Sequence, residues 1–422
     1  MSEAKLGRHI GLAGAILLSF NGAVGAGIFA LPGTLLADFG AFSPWLFPLV
    51  ALGAMLIVLP FARSVAAFPE SGGPATYGRV FGRLPGFELG WVYYISRAAA
   101  FAANANVLTA YAARWWAGAD HGIVRAALLI GITAVLAAIN IAGVKRSLAV
   151  LGGLTLLKAL PLVLITIAAI ILAFPPPAPG AFPPLGALES GMLVVFYAFI
   201  GFENLTVPAG ETREPERALP RAIFISMAAM TLLYFLVQLA FVSALPGGGM
   251  DEKAPLIDLG GWVAGPAGIA LITFTVIASL AGNLHSNLAA TPRLTHAMGE
   301  RGDLPSWFAS IHRKFETPAN SIAFMAILAA TMALSGSFVF LAAVSVLSRL
   351  FVYAVTIAAL PRAPKHRPIT LLHWISGAIG IAVCIWAAAQ ADLKSWTTLG
   401  ILAAIGLALY ALASLSRRTR PA

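Results

Sequence analysis

Long apolar segments separated by short polar stretches run along almost the whole chain of 422 residues. Each is close to the roughly 20 residues that an α-helix needs to cross a bilayer. Twelve such segments are predicted, at residues 11–36, 45–68, 87–113, 123–143, 149–173, 188–209, 220–245, 262–290, 319–335, 338–360, 369–390 and 396–415. The pattern therefore predicts an all-α polytopic membrane protein with twelve transmembrane helices.

Composition and charge agree with this class of protein. The chain is 59% hydrophobic and 10% charged, whereas a soluble domain has about 25% charged residues. With the N-terminus in the cytoplasm, 20 of the 27 lysines and arginines fall in cytoplasmic segments and four in outer loops. Basic residues mark cytoplasmic loops, so the net charge of +10 predicts orientation in the membrane and not a nucleic-acid partner. We expect an inner (plasma) membrane protein with both termini cytoplasmic.

The first apolar segment contains an unusual run of glycines, GAVGAGIF at residues 22–29. Glycine inside a helix costs roughly 1 kcal/mol relative to alanine. Unwound backbone is tolerated in a bilayer only where it is buried in protein or lines a wet cavity. The run therefore predicts a break in the first span whose free backbone groups hold a ligand. The alternative is that these glycines only allow tight helix packing.

The sixth segment is interrupted in a similar way by AFIGFE at residues 198–203, with Pro208 shortly after. Glu203 is the only carboxylate predicted deep inside a span, where a charge costs at least about 2.5 kcal/mol. Interruptions at corresponding positions of two halves indicate an inverted-repeat transporter. The predicted halves are residues 1–180 and 181–362, and residues 363–422 add two spans and a cytoplasmic C-terminus.

Four motifs in the right order resemble those of the amino acid–polyamine–organocation (APC) superfamily of permeases. They are GAVGAGIF, the sixth-span AFIGFE with its tail from Glu211 to Ala222, PESGGPATY at residues 69–77, and a weaker loop motif at residues 292–305. The resemblance covers spans 1 to 10. It implies a LeuT-type 5+5 inverted repeat with discontinuous helices 1 and 6, and amino acid transport by alternating access.

The two breaks suit the zwitterionic head of an amino acid. Amides at a helix N-terminus attract a carboxylate, and we assign this role to Ala26 and Gly27. Carbonyl groups freed near Ala23 and around Phe199 and Ile200 suit the ammonium group. The predicted substrate-binding residues of the two breaks are Ala23, Val24, Gly25, Ala26, Gly27, Ile28, Phe199, Ile200 and Gly201.

Selectivity for the substrate side chain is predicted to come from neighbouring spans. Candidates are Phe101 and Asn104 on span 3, Tyr197 on span 6, and Ser279 and Asn283 on span 8. The resemblance implies that Tyr197 is an aromatic lid over the substrate, although simple packing is the common role of such a ring.

Lys158, inside span 5, is the candidate for proton coupling. A buried lysine can exchange its proton near physiological pH, and the resemblance implies that a span-5 lysine replaces the sodium ion of sodium-driven relatives. Snorkelling to an interface is the alternative. Glu203 is either a second proton carrier or a structural counter-ion of Arg97, and Arg349 has no evident partner.

The sequence thus predicts a secondary transporter of L-amino acids, coupled to protons. A neutral substrate is favoured, because Glu203 is the only mid-membrane carboxylate. The alternatives are a sodium-independent exchanger or exporter, and a carrier of cationic amino acids or polyamines. A membrane enzyme would need acidic or histidine clusters, and the chain has no DxxxD or HxxxH pair. With the single cysteine Cys384, no metal or cofactor is expected; the predicted partners are the amino acid, protons and the lipid bilayer.

Overall fold

A computed structural model describes residues 10–68, 73–143, 148–203, 212–246, 253–363 and 369–418. Within these ranges the chain is helical, apart from loops and one isolated parallel bridge between Ile10 and Thr212. The α-helices in chain order are α1 (Leu12–Ala23), α2 (Gly27–Phe39), α3 (Leu46–Ala67), α4 (Pro74–Gly78), α5 (Arg83–Ala112), α6 (Gly122–Ile141), α7 (Leu148–Leu172), α8 (Leu185–Phe199), α9 (Pro215–Ala244), α10 (Pro255–Ala290), α11 (Pro292–Glu300), α12 (Ala319–Ser335), α13 (Phe338–Ala359), α14 (Leu371–Ala389) and α15 (Leu393–Arg418).

Seven helical stretches of the described chain are long and apolar enough to cross a membrane, and three shorter apolar helices accompany them. The seven are Gly27–Ala67, Gly122–Ile141, Pro215–Ala244, Pro255–Glu300, Phe338–Arg362, Leu371–Ala389 and Leu393–Leu415. The chain is therefore built as a polytopic membrane protein. Each of the twelve predicted segments overlaps at least one of the helices, while the number of actual spans stays a prediction.

Helix α5 lies in the interior of the described structure. It is buried on nearly every side and packs against α4, α6, α10, α11, α12, α13 and α15. Alanines such as Ala98 and Ala102 alternate with large rings such as Tyr94 and Tyr111, so neighbouring helices approach closely where the side chains are small. A helix that is buried all round belongs in the interior, and its polar residues Arg97 and Asn104 are held there.

The peripheral helices bury only narrow stripes. The buried residues of α6 are Leu129, Thr133, Ala137 and Asn140, and this spacing of three or four places them on one helix face. Apolar residues on the other faces, such as Ile130, are exposed. Exposed apolar surface of this extent suits contact with lipid.

Helix α10 differs from its predicted bounds, because it begins at Pro255 and not at residue 262. Its axis is kinked at Ala264 and Gly265, where Gly265 has a φ of +55°. The kink precedes Pro266, which disfavours α-helical geometry in the residue before it. Part of the predicted outer loop is therefore a helical segment set at an angle to the span.

Candidate functional site

The predicted break in the first span is confirmed. Helix α1 ends at Ala23 and α2 begins at Gly27. The amide of Gly25 donates to the carbonyl oxygen of Ala23 at 2.8 Å, and Val24 has φ −71° and ψ 87°, close to an inverse γ-turn. The turn ends one helix and starts the next inside the protein, so the first amides of α2 are presented to the interior.

Helix α8 ends at Phe199, as the glycine in AFIGFE predicts. Ile200 is extended, and Gly201 has a φ of +115°, which favours glycine. A side chain on Gly201 would overlap the carbonyl oxygen of Gly22 and lie 2.8 Å from the Cα of Ala23. The two breaks are therefore in direct backbone contact. Residues 204–211, which include the predicted continuation of span 6, lie outside the described residues.

Gly27 gives a second close approach between the same elements. A Cβ at this position would lie 2.8 Å from the Cα of Ala198, nearer than real Cβ atoms come to other atoms. The glycine is therefore required by the packing of α2 against α8, in addition to any contact with a ligand.

A cavity of about 30 Å³ lies between the two breaks. Six predicted binding residues line it, namely Ala23, Gly25, Asn104, Tyr197, Ile200 and Asn283, together with Arg97 from the coupling set. The lining also includes Gly22, Ala100, Asn287 and Arg349. The structure therefore brings residues of spans 1, 3, 6, 8 and 10 into one site.

Asn104 is the hydrogen-bonding centre of this site. Its Oδ1 accepts from the backbone amide of Ala26 at 2.9 Å and from the hydroxyl of Tyr197 at 3.4 Å. Its Nδ2 donates to Oδ1 of Asn283 at 2.7 Å. One buried carboxamide thus connects the start of α2 with α8 and α10.

Several predicted residues are buried near the site without lining the cavity. They are Val24, Ala26, Gly27, Ile28, Phe101, Phe199, Gly201 and Ser279. The Phe199 ring turns away and packs against Phe47 and Tyr234. The Ser279 hydroxyl is buried without a hydrogen-bond partner among the described residues. For Ala26, Gly27 and Phe199, the predicted contacts involve the backbone and not the side chain.

Two polar lining residues, Asn287 and Arg349, were absent from the predicted binding set. Asn287 Nδ2 donates to the carbonyl oxygen of Arg97, and its Oδ1 accepts from the hydroxyl of Thr291. The signal for Asn287 is present in the sequence, because Ser279, Asn283, Asn287 and Thr291 recur every fourth residue on an apolar helix. This spacing places them on one face.

The partner of Glu203 is Arg349. Nε of Arg349 donates to Oε1 of Glu203 at 2.7 Å, and both side chains are at most 2% exposed. Oε2 of Glu203 accepts from the amide of Gly201 and the hydroxyl of Tyr353, each at 2.9 Å. Arg349 also donates to the Ser345 hydroxyl. This network ties the end of α8 to α13.

The sequence left two roles open for Glu203, a proton carrier or a counter-ion of Arg97, and the structure shows its ion pair with Arg349. Nε of Arg97 donates to the Thr291 hydroxyl at 3.2 Å. Physically, α13 brings Arg349 directly beside the α8 break, whereas Arg97 lies two turns along α5 from Asn104, about 10 Å away. Arg97 still lines the cavity, at the side nearer the N-terminal end of α5.

Lys158 belongs to α7, which packs against α1, α9 and α10. Its side chain lies outside the described residues. The helix therefore has the neighbours that a role beside spans 1 and 8 requires, while the role of Lys158 itself stays a prediction.

A second cavity of about 290 Å³ lies towards the C-terminal end of α5. Its polar lining includes Thr34, Asn106 and Arg125. Phe338 lines this cavity and packs edge to face against Tyr197, with 5.5 Å between the ring centroids. Tyr197 lines the central cavity, so the layer formed by these two rings contributes one ring to each cavity.

Two of the residues that line the larger cavity form an ion pair. Nζ of Lys253, before α10, lies 2.7 Å from Oδ2 of Asp120, after α5. Hydrogen bonds from Lys253 and His121 lower the pKa of Asp120 to about 2. The charged Asp120 side chain therefore contributes fully to the stability of the folded protein above the ordinary carboxyl pKa. This contribution is lost only as the pH falls from about 4 towards 2. The Asp120 carboxylate therefore stays charged between pH 5 and 8.

A corresponding cluster lies at the opposite end of these helices. Nε of Arg83, at the start of α5, lies 2.6 Å from Oδ1 of Asp303, after α11. Arg79 and Arg301 lie 3.6 and 3.7 Å from Oδ2 of the same carboxylate, which is 3% exposed. An aspartate bound to basic side chains therefore lies near each end of the α5–α10 pair.

Comparison with known proteins gives a consistent family. A family model described as amino acid permease matches residues 10–415. An uncharacterised transporter of Mycobacterium tuberculosis H37Rv is 29% identical, covering 80% of this chain and 77% of that protein. A D-serine/D-alanine/glycine transporter of Escherichia coli K12 is 24% identical, covering 77% and 72%. A vacuolar protein of Arabidopsis thaliana, named cationic amino acid transporter 4, is 26% identical, covering 78% and 58%.

Proposed function

The chain belongs to the amino acid permease family, and we propose that it carries a neutral L-amino acid across the plasma membrane by alternating access. The observation that carries this proposal is the contact between the α1–α2 break and the end of α8, in one cavity. The N-terminus of α2 carries partial positive charge there, and the C-termini of α1 and α8 carry partial negative charge. This matches the two charges of an amino acid head group.

The carboxylate of the substrate is assigned to the start of α2. The amides of Ala26 and Gly27 lie at the N-terminus of a helix inside the protein, where partial positive charge favours an anion. Gly25 and Gly27 allow the backbone to be approached, because neither has a side chain. The site needs no basic side chain for this contact.

The ammonium group is assigned to carbonyl oxygens at the ends of α1 and α8. Gly22, Ala23 and Ile200 line the cavity, and the C-terminal end of a helix attracts a cation. Both helices direct this end to the same place, so the two negative ends add. The division of the site into an amide side and a carbonyl side selects a zwitterion over a simple anion or cation.

The charge of the cavity favours a neutral substrate side chain. Two arginines, Arg97 and Arg349, are among the lining residues described for the central cavity, and no carboxylate is. A cationic side chain would have to approach these guanidinium groups, and no carboxylate among the described lining residues would attract it. We therefore favour a neutral amino acid over a cationic amino acid or a polyamine as the substrate, although one relative is named as a cationic amino acid transporter.

The layer formed by Tyr197 and Phe338 is proposed as the outer gate. One of its rings lines the central cavity and the other lines the larger cavity, so parting the rings would open a path between the two cavities. In this arrangement Tyr197 acts both as a lid and as a hydrogen-bonding partner of Asn104.

Twelve spans arranged as a 5+5 inverted repeat are proposed as the architecture behind this gate. Each half, 1–180 and 181–362, begins with a helix that ends at a buried glycine-containing break. The Asp120–Lys253 pair and the Asp303 cluster each place an aspartate against basic side chains, and they lie at opposite ends of the α5–α10 pair. With the N- and C-termini cytoplasmic, Asp120 is on the outer side and Asp303 on the cytoplasmic side.

Proton coupling is proposed to run through Lys158, with Glu203 as a fixed counter-ion. Glu203 accepts hydrogen bonds from Arg349, Tyr353 and the amide of Gly201. The Asp120 carboxylate, whose pKa is lowered to about 2, stays charged between pH 5 and 8. We therefore expect the Lys158→Ala variant to lose the pH dependence of uptake over this range; if that dependence persists, the proton pathway lies elsewhere.

The experiment that tests the function is counterflow into proteoliposomes. Vesicles are loaded with one unlabelled amino acid and diluted into a trace of the same labelled compound, for a panel of the twenty amino acids and putrescine. We expect accumulation for one or a few neutral amino acids and none in protein-free vesicles. Lack of accumulation for every compound would refute transport, and accumulation of only arginine, lysine or putrescine would refute the neutral substrate.

A further inference from the structure

The Ala26 amide already has an acceptor in the structure. Oδ1 of Asn104 lies 2.9 Å from it, and Asn104 is 3% exposed. The acceptor is fixed in place, because Asn283 and Tyr197 hold the same carboxamide from α10 and α8. An oxygen of a side chain thus lies where the proposed function puts an oxygen of the substrate carboxylate.

The two oxygens exclude each other. A single N–H makes one well-aligned hydrogen bond, so a carboxylate bound to Ala26 must displace Asn104. The cavity must also enlarge before an amino acid can bind, because its volume of about 30 Å³ is room for about one water molecule. Substrate binding therefore requires the Asn104 side chain to move from this position.

Closing the site around an unsatisfied amide would be unfavourable, since a buried N–H without a partner loses its hydrogen bond to water and gains none. In a carrier, this penalty applies to the step in which the protein returns across the membrane without substrate. A side chain that accepts from Ala26 removes the penalty and leaves the closed, substrate-free site with its polar groups paired.

We propose that Asn104 takes the place of the substrate carboxylate during the return step, so that the protein performs net transport and is not an obligatory exchanger. This proposal rests on the proposed function. Its chemical content is a swap of one acceptor on Ala26 N–H: a carboxylate in the loaded carrier and the Asn104 carboxamide in the closed carrier without substrate. No covalent step or proton transfer is involved.

The test compares two transport modes of the Asn104→Ala variant in the same proteoliposomes. Exchange, measured by counterflow, never requires the return step, whereas efflux into substrate-free buffer requires it in every cycle. We expect the ratio of efflux rate to exchange rate to fall about tenfold in Asn104→Ala, the factor that corresponds to one buried hydrogen bond. The Asn104→Ser variant, which keeps a small polar side chain, serves where the alanine variant does not fold.

The matched control is Asn106→Ala on the same helix. Nδ2 of Asn106 donates to the carbonyl oxygens of Ala102 and Ala333 and not to a group at the start of α2. The efflux and exchange rates of Asn106→Ala should therefore change in parallel. The proposal is overturned if the ratio for Asn104→Ala equals that of the wild type, or if the wild type shows exchange but no efflux. Failure of the proposed function is distinct, since it would abolish counterflow in the wild type itself.

Discussion

At the scale of single residues, the Glu203–Arg349 pair is the most consequential contact in the described structure. Both charges are almost completely buried, and the carboxylate accepts three hydrogen bonds with good distances. Breaking a buried pair by removing one partner costs about 3–5 kcal/mol, because it leaves the other charge uncompensated. The pair therefore fixes α13 against the α8 break.

This contact predicts the effect of Arg349→Met on stability. The variant leaves Glu203 as a buried carboxylate without its cation, so the free energy of unfolding should fall by about 3–5 kcal/mol. Thermal melting in detergent measures the loss, and the double variant Glu203→Gln/Arg349→Met should recover part of it. Arg217→Met is the control, because its pair with Glu214 is exposed and such pairs contribute at most about 1 kcal/mol. A melting temperature for Arg349→Met equal to that of the control would contradict this role.

The sequence identified both charges but not their pairing. Glu203 and Arg349 are separated by 146 positions, and nothing in a single sequence says which helices touch. Arg97 was one candidate partner of Glu203, because spans 3 and 6 were both expected at the site. The deciding factor, the approach of α13 to the end of α8, is a property of tertiary packing.

At the scale of elements, the two breaks act as one unit. Gly27 on α2 packs against Ala198 on α8, and Gly201 packs against Gly22 and Ala23. The helices are in contact through backbone atoms, so movement at one break is transmitted to the other without a flexible side chain between them. In the proposed mechanism, substrate binding and gate opening are linked through these same few residues.

Gly27→Ala should disrupt this unit. Its Cβ would lie 2.8 Å from the Cα of Ala198, so α2 and α8 must separate and the proposed binding groups move with them. Misplacement of binding groups by about 1 Å can cost about 100-fold in rate, and we expect counterflow to fall by about tenfold or more. Gly131→Ala on α6, with open space around its Cβ position, should transport like the wild type. Normal counterflow by Gly27→Ala would contradict the close approach.

The elements were predicted well where glycine and proline punctuate the sequence. The break at residues 22–27, the end of α8 before Gly201 and the turn between Ser335 and Phe338 all follow from such residues. The start of α10 was predicted too late, because Pro255 begins a helix and Gly265 kinks it. The hydrogen bond from Ala26 to Asn104 had no local signal, since it joins residues that are 78 positions apart.

At the scale of the whole molecule, the site is enclosed by elements from both predicted halves. Helix α1, the turn before α2 and helix α5 contribute from the first half, and α8, α10 and α13 from the second. Ion clusters stand at both ends of the α5–α10 pair. The arrangement suits a carrier in which the two sides open in turn around a fixed central site, and in which the substrate is recognised by backbone.

The most direct test of this account is whether the carboxylate of the substrate is bound at the start of α2. In the counterflow assay, the transported amino acid and its methyl ester are compared as unlabelled competitors of the labelled substrate. The ester keeps the ammonium group and side chain but removes the negative charge that the amides of Ala26 and Gly27 are proposed to hold. The account predicts that the ester competes at least about tenfold more weakly; an ester that competes as well as the free amino acid would contradict it.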